Sequence, residues 1–293
     1  MGKSETVTIY LEDGLKQSAE AGTHNFINLM SDVLRQAGYT VLFSPTDAVT
    51  SHQGGKAITH MRSPPPGGLV FRRVYEYPFW SIEATSERWH RDVALLSFAP
   101  ENVDADQAEA FATRWRKRLF PKVTPIDDGY IYLPLQGIFR RRRSFQKCSP
   151  LQMVEQTLMA FPDRKVIIGL HPKENYDAQD HAALEEVIQR HRNVEVLVGQ
   201  MQTLLPGCLA VVTQNSGAAF FGYLLHKPAA LFAEIDFHHI AETDPDALHS
   251  VVDQKPDFDR YVYWFWHMHS INAGRAEATE KIRGRFQRFG WIT

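Results

Sequence analysis

Cysteine is nearly missing from this 293-residue chain: Cys148 and Cys208 are the only two, far apart and in no CxxC spacing. That argues against a disulfide framework and a zinc ribbon, and leaves two ordinary reduced thiols. A basic excess is missing as well. Lys and Arg total 32 against 34 Asp and Glu, a formal net charge of −2, whereas a general nucleic-acid binder carries a positive field. No nucleic-acid partner is expected, and any anion site must be local. No stretch reaches the ~18 uninterrupted apolar residues of a membrane-spanning helix, and the opening Met1-Gly2-Lys3-Ser4-Glu5-Thr6 has no apolar signal-peptide core. The expectation is a cytoplasmic protein that can touch a membrane surface but does not cross it. Cofactor strings are absent too: there is no GxxxxGK[ST], no GxGxxG and no HExxH. P-loop ATPase and simple dinucleotide-dependent readings lose ground. His238-His239 and the pair His267 and His269 are too close in sequence to make a coordination shell by themselves, so neither metal nor cofactor is expected.

What is present is an apolar fraction of 44%, enough for one large α/β domain or two smaller ones. Val7 to Leu11 reads as a first strand closed by a turn at Glu12-Asp13-Gly14. Phe26, Leu29, Met30, Val33 and Leu34 repeat at helical spacing and stop at Gly38, and Thr40 to Pro45 reads as the second strand. Thr50 to Gly68, with Gly54-Gly55, Pro64-Pro65-Pro66 and Gly67-Gly68, is expected to be an irregular loop. Leu69 to Phe71 comes next as a strand. The aromatics Tyr75, Tyr77, Phe79, Trp80 and Trp89 read as core, with sugar stacking the alternative. Asp106 to Leu119 is a helix.

Pro121, Pro125 and Asp127-Asp128-Gly129 look like a seam, after which a second series begins. Strands are expected at 130–135, 165–170, 194–198, 209–213 and 229–232, with helices at 150–161, 178–191 and 217–225; a basic helix at 276–289 ends the chain. Alternating strands and helices imply mostly parallel sheets covered on both faces. The expected division is 1–124, 125–272 and a C-terminal helix, 273–293, packing back toward the seam.

Two apolar runs stop abruptly at polar residues: Val166 to Leu170 at His171-Pro172-Lys173-Glu174, and Val211 to Thr213 at Gln214-Asn215-Ser216-Gly217. Buried parallel strands end this way at the rim where α/β proteins bind ligands. An imidazole at His171 can donate to a phosphate oxygen, or it can merely cap a strand. Asn215-Ser216-Gly217 opens a helix whose first turn offers free amides to an anion, or simply caps itself. Arg140-Arg141-Arg142-Arg143 is a phosphate or acidic-glycan contact, or a solvated basic loop. Asp13 would stand on the first rim as a general base toward a hydroxyl, or belong to an ordinary acidic turn. Thr23-His24-Asn25 offers further polar contacts to a substrate, or a helix cap.

The strand Tyr130 to Gln136, His171-Pro172, Gln214 to Gly217, Leu225-His226-Lys227-Pro228 and the tail Phe258 to Trp264, taken in order over residues 130 to 271, resemble the bacterial capsule polysaccharide synthesis family, which includes Kdo transferases. That resemblance implies an α/β, GT-B-like architecture: two Rossmann-like domains facing a central cleft, the N-terminal one on the acceptor side and the C-terminal one holding a nucleotide-sugar donor. It implies His171 as a contact to the donor phosphate, cradled with Asn215, Ser216 and Gly217; Gln136, Lys173 and Glu174 are the further donor-side candidates, and His24, Arg140 and Arg141 the candidate acceptor or phosphate contacts. The Glu12-Asp13-Gly14 string together with an HP pair is also similar to bacterial sialyltransferases, which implies Asp13 as a catalytic residue alongside His171. The partners implied are a nucleotide-sugar donor, CMP-Kdo-like, and a glycan or glycolipid acceptor, with peripheral contact to the inner membrane or a polysaccharide assembly complex. The activity implied is a metal-independent glycosyltransferase of surface-polysaccharide synthesis. A sugar-nucleotide epimerase or hydrolase, and a non-catalytic glycan- or nucleotide-binding subunit, are the competing readings.

Overall fold

The computed structural model describes residues 5–121, 123 and 126–293; Pro125, one of the two seam prolines, lies outside them. Contacts divide the chain into two units, Met1–Leu96 with Phe265–Thr293, and Ser97–Trp264.

The first unit opens with strand β1 (Thr6–Leu11), helices α1 (Asp13–Glu20) and α2 (Asn25–Gln36), and strand β2 (Thr40–Pro45). Strands β3 (Lys56–His60), β4 (Leu69–Arg73) and β5 (Phe79–Glu83) come next. The six-stranded sheet is completed late in the chain by β11 (Ile271–Asn272), in the order β11-β5-β4-β3-β1-β2. β2, β1, β3 and β4 run parallel, while β5 is antiparallel to both β4 and β11. The apolar stripe of α2, Phe26, Ile27, Met30, Val33 and Leu34, is fully buried in one core with Val7, Ile9 and Leu11 of β1. Ile282 and Phe286 of the C-terminal helix α9 (Ala278–Arg288) enter the same core, so this helix packs on the first unit.

The sequence turn at Glu12-Asp13-Gly14 is instead the start of α1, and β3 lies inside the stretch expected to be irregular. Gly55 explains part of that concealment. Its φ is +73° and a Cβ there would sit 2.7 Å from the Thr6 carbonyl oxygen, so a glycine is needed where β3 comes in beside β1. The aromatics divide: Phe79 stacks on Trp266 and Trp80 on Phe26 in the core, at 4.6 and 4.8 Å between ring centres, while Tyr77 is exposed.

The second unit starts with α3 (Ala105–Leu119) and continues with β6 (Tyr130–Leu135), α4 (Pro150–Ala160), β7 (Val166–Leu170), α5 (Ala178–Arg190), β8 (Val194–Val198), the short α6 (Met201–Leu204), β9 (Cys208–Thr213), α7 (Gly217–Leu224), β10 (Ala229–Leu231) and α8 (Phe258–Val262). Its all-parallel sheet has the order β10-β9-β6-β7-β8. Every residue of β6 and β7 is buried, as expected of central parallel strands covered on both faces. Pro134 in the central strand β6 cannot donate to the ladder, but its carbonyl accepts a hydrogen bond from the Thr213 hydroxyl of β9 at 2.9 Å.

The expected boundary at 124/125 falls inside this unit. α3 belongs here because its apolar face packs on residues near α8: Phe111 meets Tyr263 edge-on at 5.5 Å. Arg116 donates to Asp259 at 2.8 Å and to the Leu224 carbonyl. The chain returns to the first unit through a π-helical turn, Tyr263–Met268.

Candidate functional site

In an open parallel sheet, ligands bind beyond the carboxyl ends of the strands, where the chain reverses the direction in which it adds strands. In the second unit that point lies between β6 and β9, because β7 and β8 add to one side of β6 and β9 and β10 to the other. Leu135 pairs with Leu170 at the last rung between β6 and β7, so Gln136 and His171 stand one step beyond it. Asn215 stands just past β9. The ends of β7 and β9 are separated by β6, hence by roughly 10 Å at ~4.8 Å per strand. A span of that size suits a sugar phosphate with its nucleoside better than a lone phosphate.

A hydrogen bond from the backbone sets the tautomer of the neutral His171 ring. Its Nδ1 accepts a hydrogen bond from the Lys173 amide at 3.2 Å, and its carbonyl accepts from the Glu174 amide at 3.1 Å. An Nδ1 that accepts leaves the proton of the neutral ring on Nε2, and Nε2 makes no hydrogen bond among the described residues. The imidazole is exposed and therefore offers a donor to solvent. Tyr176 braces the turn: its hydroxyl accepts from the His171 amide at 3.2 Å and donates to the Leu135 carbonyl at 3.5 Å. Gly169, just before it, is fixed by packing, since a Cβ there would lie 2.9 Å from the Tyr132 ring.

At the end of β9, Ser216 caps α7 by accepting from the Ala218 amide at 3.3 Å. The Ala219 amide donates to the Ser216 carbonyl at 3.1 Å, which leaves the Gly217 amide, without a partner among the described residues, at the positive end of the helix dipole. Gln214 and Asn215 are buried there. The Gln214 side chain donates to the Cys148 carbonyl at 3.1 Å, while its buried Oε1 has no partner among the described residues. Gln136 is half-buried between the two strand ends. Glu174 folds back against Gly137, where an added Cβ would collide with the Glu174 carboxylate. Lys173 is exposed on the same turn. The rim thus gathers His171, Lys173, Glu174, Gln136, Asn215, Ser216 and Gly217 at the ends of three adjacent strands.

The arginine run does not behave as one patch. Arg140 is committed to the start of α5: it donates to Asp180 at 2.7 Å, Gln179 at 2.6 Å and Asp177 at 2.8 Å. Arg142 donates to the Gln146 carbonyl at 2.7 Å, and Arg143 lies over the Phe145 ring. Arg141 is exposed and makes no such contact among the described residues. Charge-assisted hydrogen bonds of this kind fold the loop, and Arg140 is a structural residue.

The first unit has its own reversal point, between β1 and β3. Glu12 comes directly after β1 and His60 ends β3, and the His60 Nδ1–H donates to the Glu12 carboxylate at 2.8 Å. Burial pushes the Glu12 carboxyl up; its backbone hydrogen bond, the His60 hydrogen bond and the charges of His60 and Arg62 outweigh this and hold it below the usual carboxylate range. Asp13 is exposed in the first turn of α1, and its carboxylate has no partner among the described residues. His24 caps α2, its Nδ1 accepting from the Ile27 amide at 3.2 Å, and meets Trp80 edge-on at 5.4 Å. Burial lowers the His24 pKa, its backbone hydrogen bond partly offsets that, and the neighbouring His60 lowers it further.

A cavity of about 540 Å³ opens at the amino ends of the second unit's strands, between Asp127, Leu209, His226, Lys227, Pro228 and Phe258. Lys227 there donates to the Ile126 carbonyl at 2.7 Å. Its lining mixes both charges and lies on the wrong edge of the sheet for the rim residues. Three Asp-x-Asp strings, at 104/106, 244/246 and 257/259, have their first aspartate capping a helical segment. Among the described residues no group of three or more His, Cys, Asp and Glu is arranged to hold a metal ion, and no helix is long and apolar enough to cross a membrane.

No protein-family model matches the chain, and no curated protein sequence does. Solved structures do. The β-Kdo 2,7 transferase of Thermosulfurimonas dismutans KpsC shares 12% identity at a TM-score of 0.54, over 96% of this chain and 99% of that one. The β-Kdo 2,4 transferase of the same protein shares 13% identity at a TM-score of 0.51, over 88% and 89%. The chain has the two-domain α/β, GT-B-type fold of these Kdo transferases.

Proposed function

We propose that the protein is a glycosyltransferase that moves a sugar from a nucleotide-activated donor, CMP-Kdo-like, to a hydroxyl of a glycan or glycolipid acceptor during capsule or surface-polysaccharide assembly, working at the cytoplasmic side of the inner membrane. The observation that carries this reading is the rim of the second unit, where the Nε2–H of His171 and the Gly217 amide that opens α7 lie at the ends of the two strands that flank β6. The fold shared with Kdo transferases supports it.

In this reading the donor phosphate lies between His171 and the Gly217 amide. As the sugar–phosphate bond breaks, negative charge grows on the leaving phosphate; hydrogen bonds and a helix dipole already aimed there stabilise that charge more than the ground state, which lowers the barrier. Lys173 adds a flexible cation. Gln136, Glu174 and Asn215 supply the polar contacts that orient the sugar and ribose hydroxyls. Arg141 is the free guanidinium for an acidic glycan. The acceptor side belongs to the first unit's rim, with His24 among its contacts and a base there to take the hydroxyl proton. No metal is called on in this scheme.

The test is turnover of CMP- and UDP-linked sugars with and without glycan acceptors. Sugar transfer that depends on acceptor, and that is lost in His171→Ala with the fold intact, is the expected result. Equal donor consumption without any acceptor would favour a hydrolase or epimerase, and full activity of His171→Ala would remove the assignment.

A further inference from the structure

The loop that leaves β6 holds one apolar residue in a backbone shape that its side chain disfavours. We infer that Ile138 is the apolar wall of the donor site, the side chain on which the base of the nucleotide packs; this rests on the donor reading of the second unit's rim above.

Ile138 has a φ of +62°. A β-branched side chain in the left-handed region crowds its own backbone, whereas glycine or asparagine sits there readily. The neighbours impose the shape. Gly137 packs against the Glu174 carboxylate. Phe139 is 1% exposed within the second unit's core, and its carbonyl accepts from the Leu151 amide at 3.0 Å. Arg140 is pinned to the start of α5 by its three hydrogen bonds. Strain of this kind persists where the surroundings over-determine it, and it collects at ligand sites. Burial within the protein offsets it only in part, because the Ile138 side chain is 43% exposed.

Its place gives that exposure a use. β6 lies between β7 and β9, so Ile138, three positions past the last residue of β6, belongs to the loop at the reversal point, where open sheets bind ligands. The side chains gathered on that rim, from His171 and Lys173 to Asn215 and Ser216, are polar. Ligand sites combine a few such orienting groups with a larger apolar lining. Among the described residues, the exposed large apolar side chains at the carboxyl ends of this sheet's strands are Ile138 and Val198. Val198 closes β8 at the outer edge of the sheet, away from the reversal point. That leaves Ile138 for the apolar part of the ligand. A pyrimidine base offers it an unbroken flat face, while a sugar interrupts its carbon face with hydroxyls.

The experiment measures affinity for CMP by titration calorimetry, and for ribose 5-phosphate, which lacks the base, by competition with CMP. It uses the intact protein as wild type, His171→Ala, Ile138→Asn, Ile138→Gly and Ile138→Leu, with urea unfolding alongside. CMP binding that His171→Ala weakens supports the donor reading by itself; a wild type that binds no CMP overturns that reading and the wall with it. Given binding, Ile138→Asn and Ile138→Gly should weaken CMP by about 4- to 15-fold, as for uncovering one to two methylene groups, and leave ribose 5-phosphate within about twofold. Ile138→Leu, which restores apolar surface, should recover most of the loss. Relief of the left-handed strain should hold the urea midpoints of the asparagine and glycine variants at or above that of wild type, so that lost affinity is not lost fold. CMP affinity unchanged in Ile138→Gly, or CMP and ribose 5-phosphate weakened alike, overturns the proposal.

Discussion

Replacing Ser216 by aspartate separates the two things that residue can do. Ser216 accepts from the Ala218 amide at 3.3 Å and so caps α7. Aspartate caps about as well as serine and adds a favourable charge at the helix start, worth ~0.3–1 kcal/mol. The fold should therefore be unharmed. A donor phosphate at the same turn would instead meet a carboxylate about 4 Å away, and two unit charges at that distance repel by ~4 kcal/mol at an effective dielectric near 20. Salt screening at a half-exposed site reduces this; allowing ~2–3 kcal/mol gives a loss of donor affinity of about 30- to 150-fold at ~1.4 kcal/mol per tenfold. Ser216→Asn is the control, since it caps without charge and should bind within a few-fold of wild type. Titration calorimetry with CMP and CMP-linked sugars gives the affinities, and urea unfolding gives the stabilities. Wild-type affinity in Ser216→Asp would refute the placement of phosphate at α7, and a stability loss above ~1 kcal/mol would refute the capping argument.

Three further outcomes are expected of the same structure. His24 and His269 both have lowered pKa values, each through burial first and then through neighbouring positive groups. A base lowered in the fold contributes stability that is present above the usual imidazole value of ~6.5 and is lost as pH falls below it. Urea midpoints should therefore drop between pH 7.5 and 5, and His24→Ser, which caps α2 without titrating, should shallow that drop. Cys208 is buried, its thiol pushed up to about 12, and burial raises Cys148 as well. A thiol reagent at neutral pH should modify neither until the protein is unfolded, and rapid labelling of the native protein would contradict their burial. Ser149 and Gln152 form a reciprocal cap on α4, so Ser149→Ala should cost about 0.5–2 kcal/mol in urea unfolding.

How much of this was legible in the residues differs element by element. β6 and β7 were readable because central parallel strands are apolar throughout, and α2 because its buried stripe repeats at helical spacing. β3 was not: only Ala57-Ile58-Thr59 are strand-like there, between Gly54-Gly55 and a proline run, and its burial comes from β1 and β4 on either side. Missing β3 also hid His60, whose partner Glu12 is 48 positions earlier; no local pattern signals such a pair. α1 was concealed because Asp-Gly reads as a turn whether or not a helix comes after it. The position of α3 turned on tertiary contacts with Leu224, Asp259 and Tyr263, which outweigh its place in the chain. In the arginine run the letters were the same, but only Arg140 meets the acidic start of α5.

The most direct test of the central claim is a crystal structure of the intact protein with a CMP-linked sugar. The account predicts the phosphate within hydrogen-bond distance of His171 Nε2 and of the Gly217 backbone amide that begins α7. A phosphate bound instead at the opposite edge of that sheet, in the cavity beside His226 and Lys227, would contradict it.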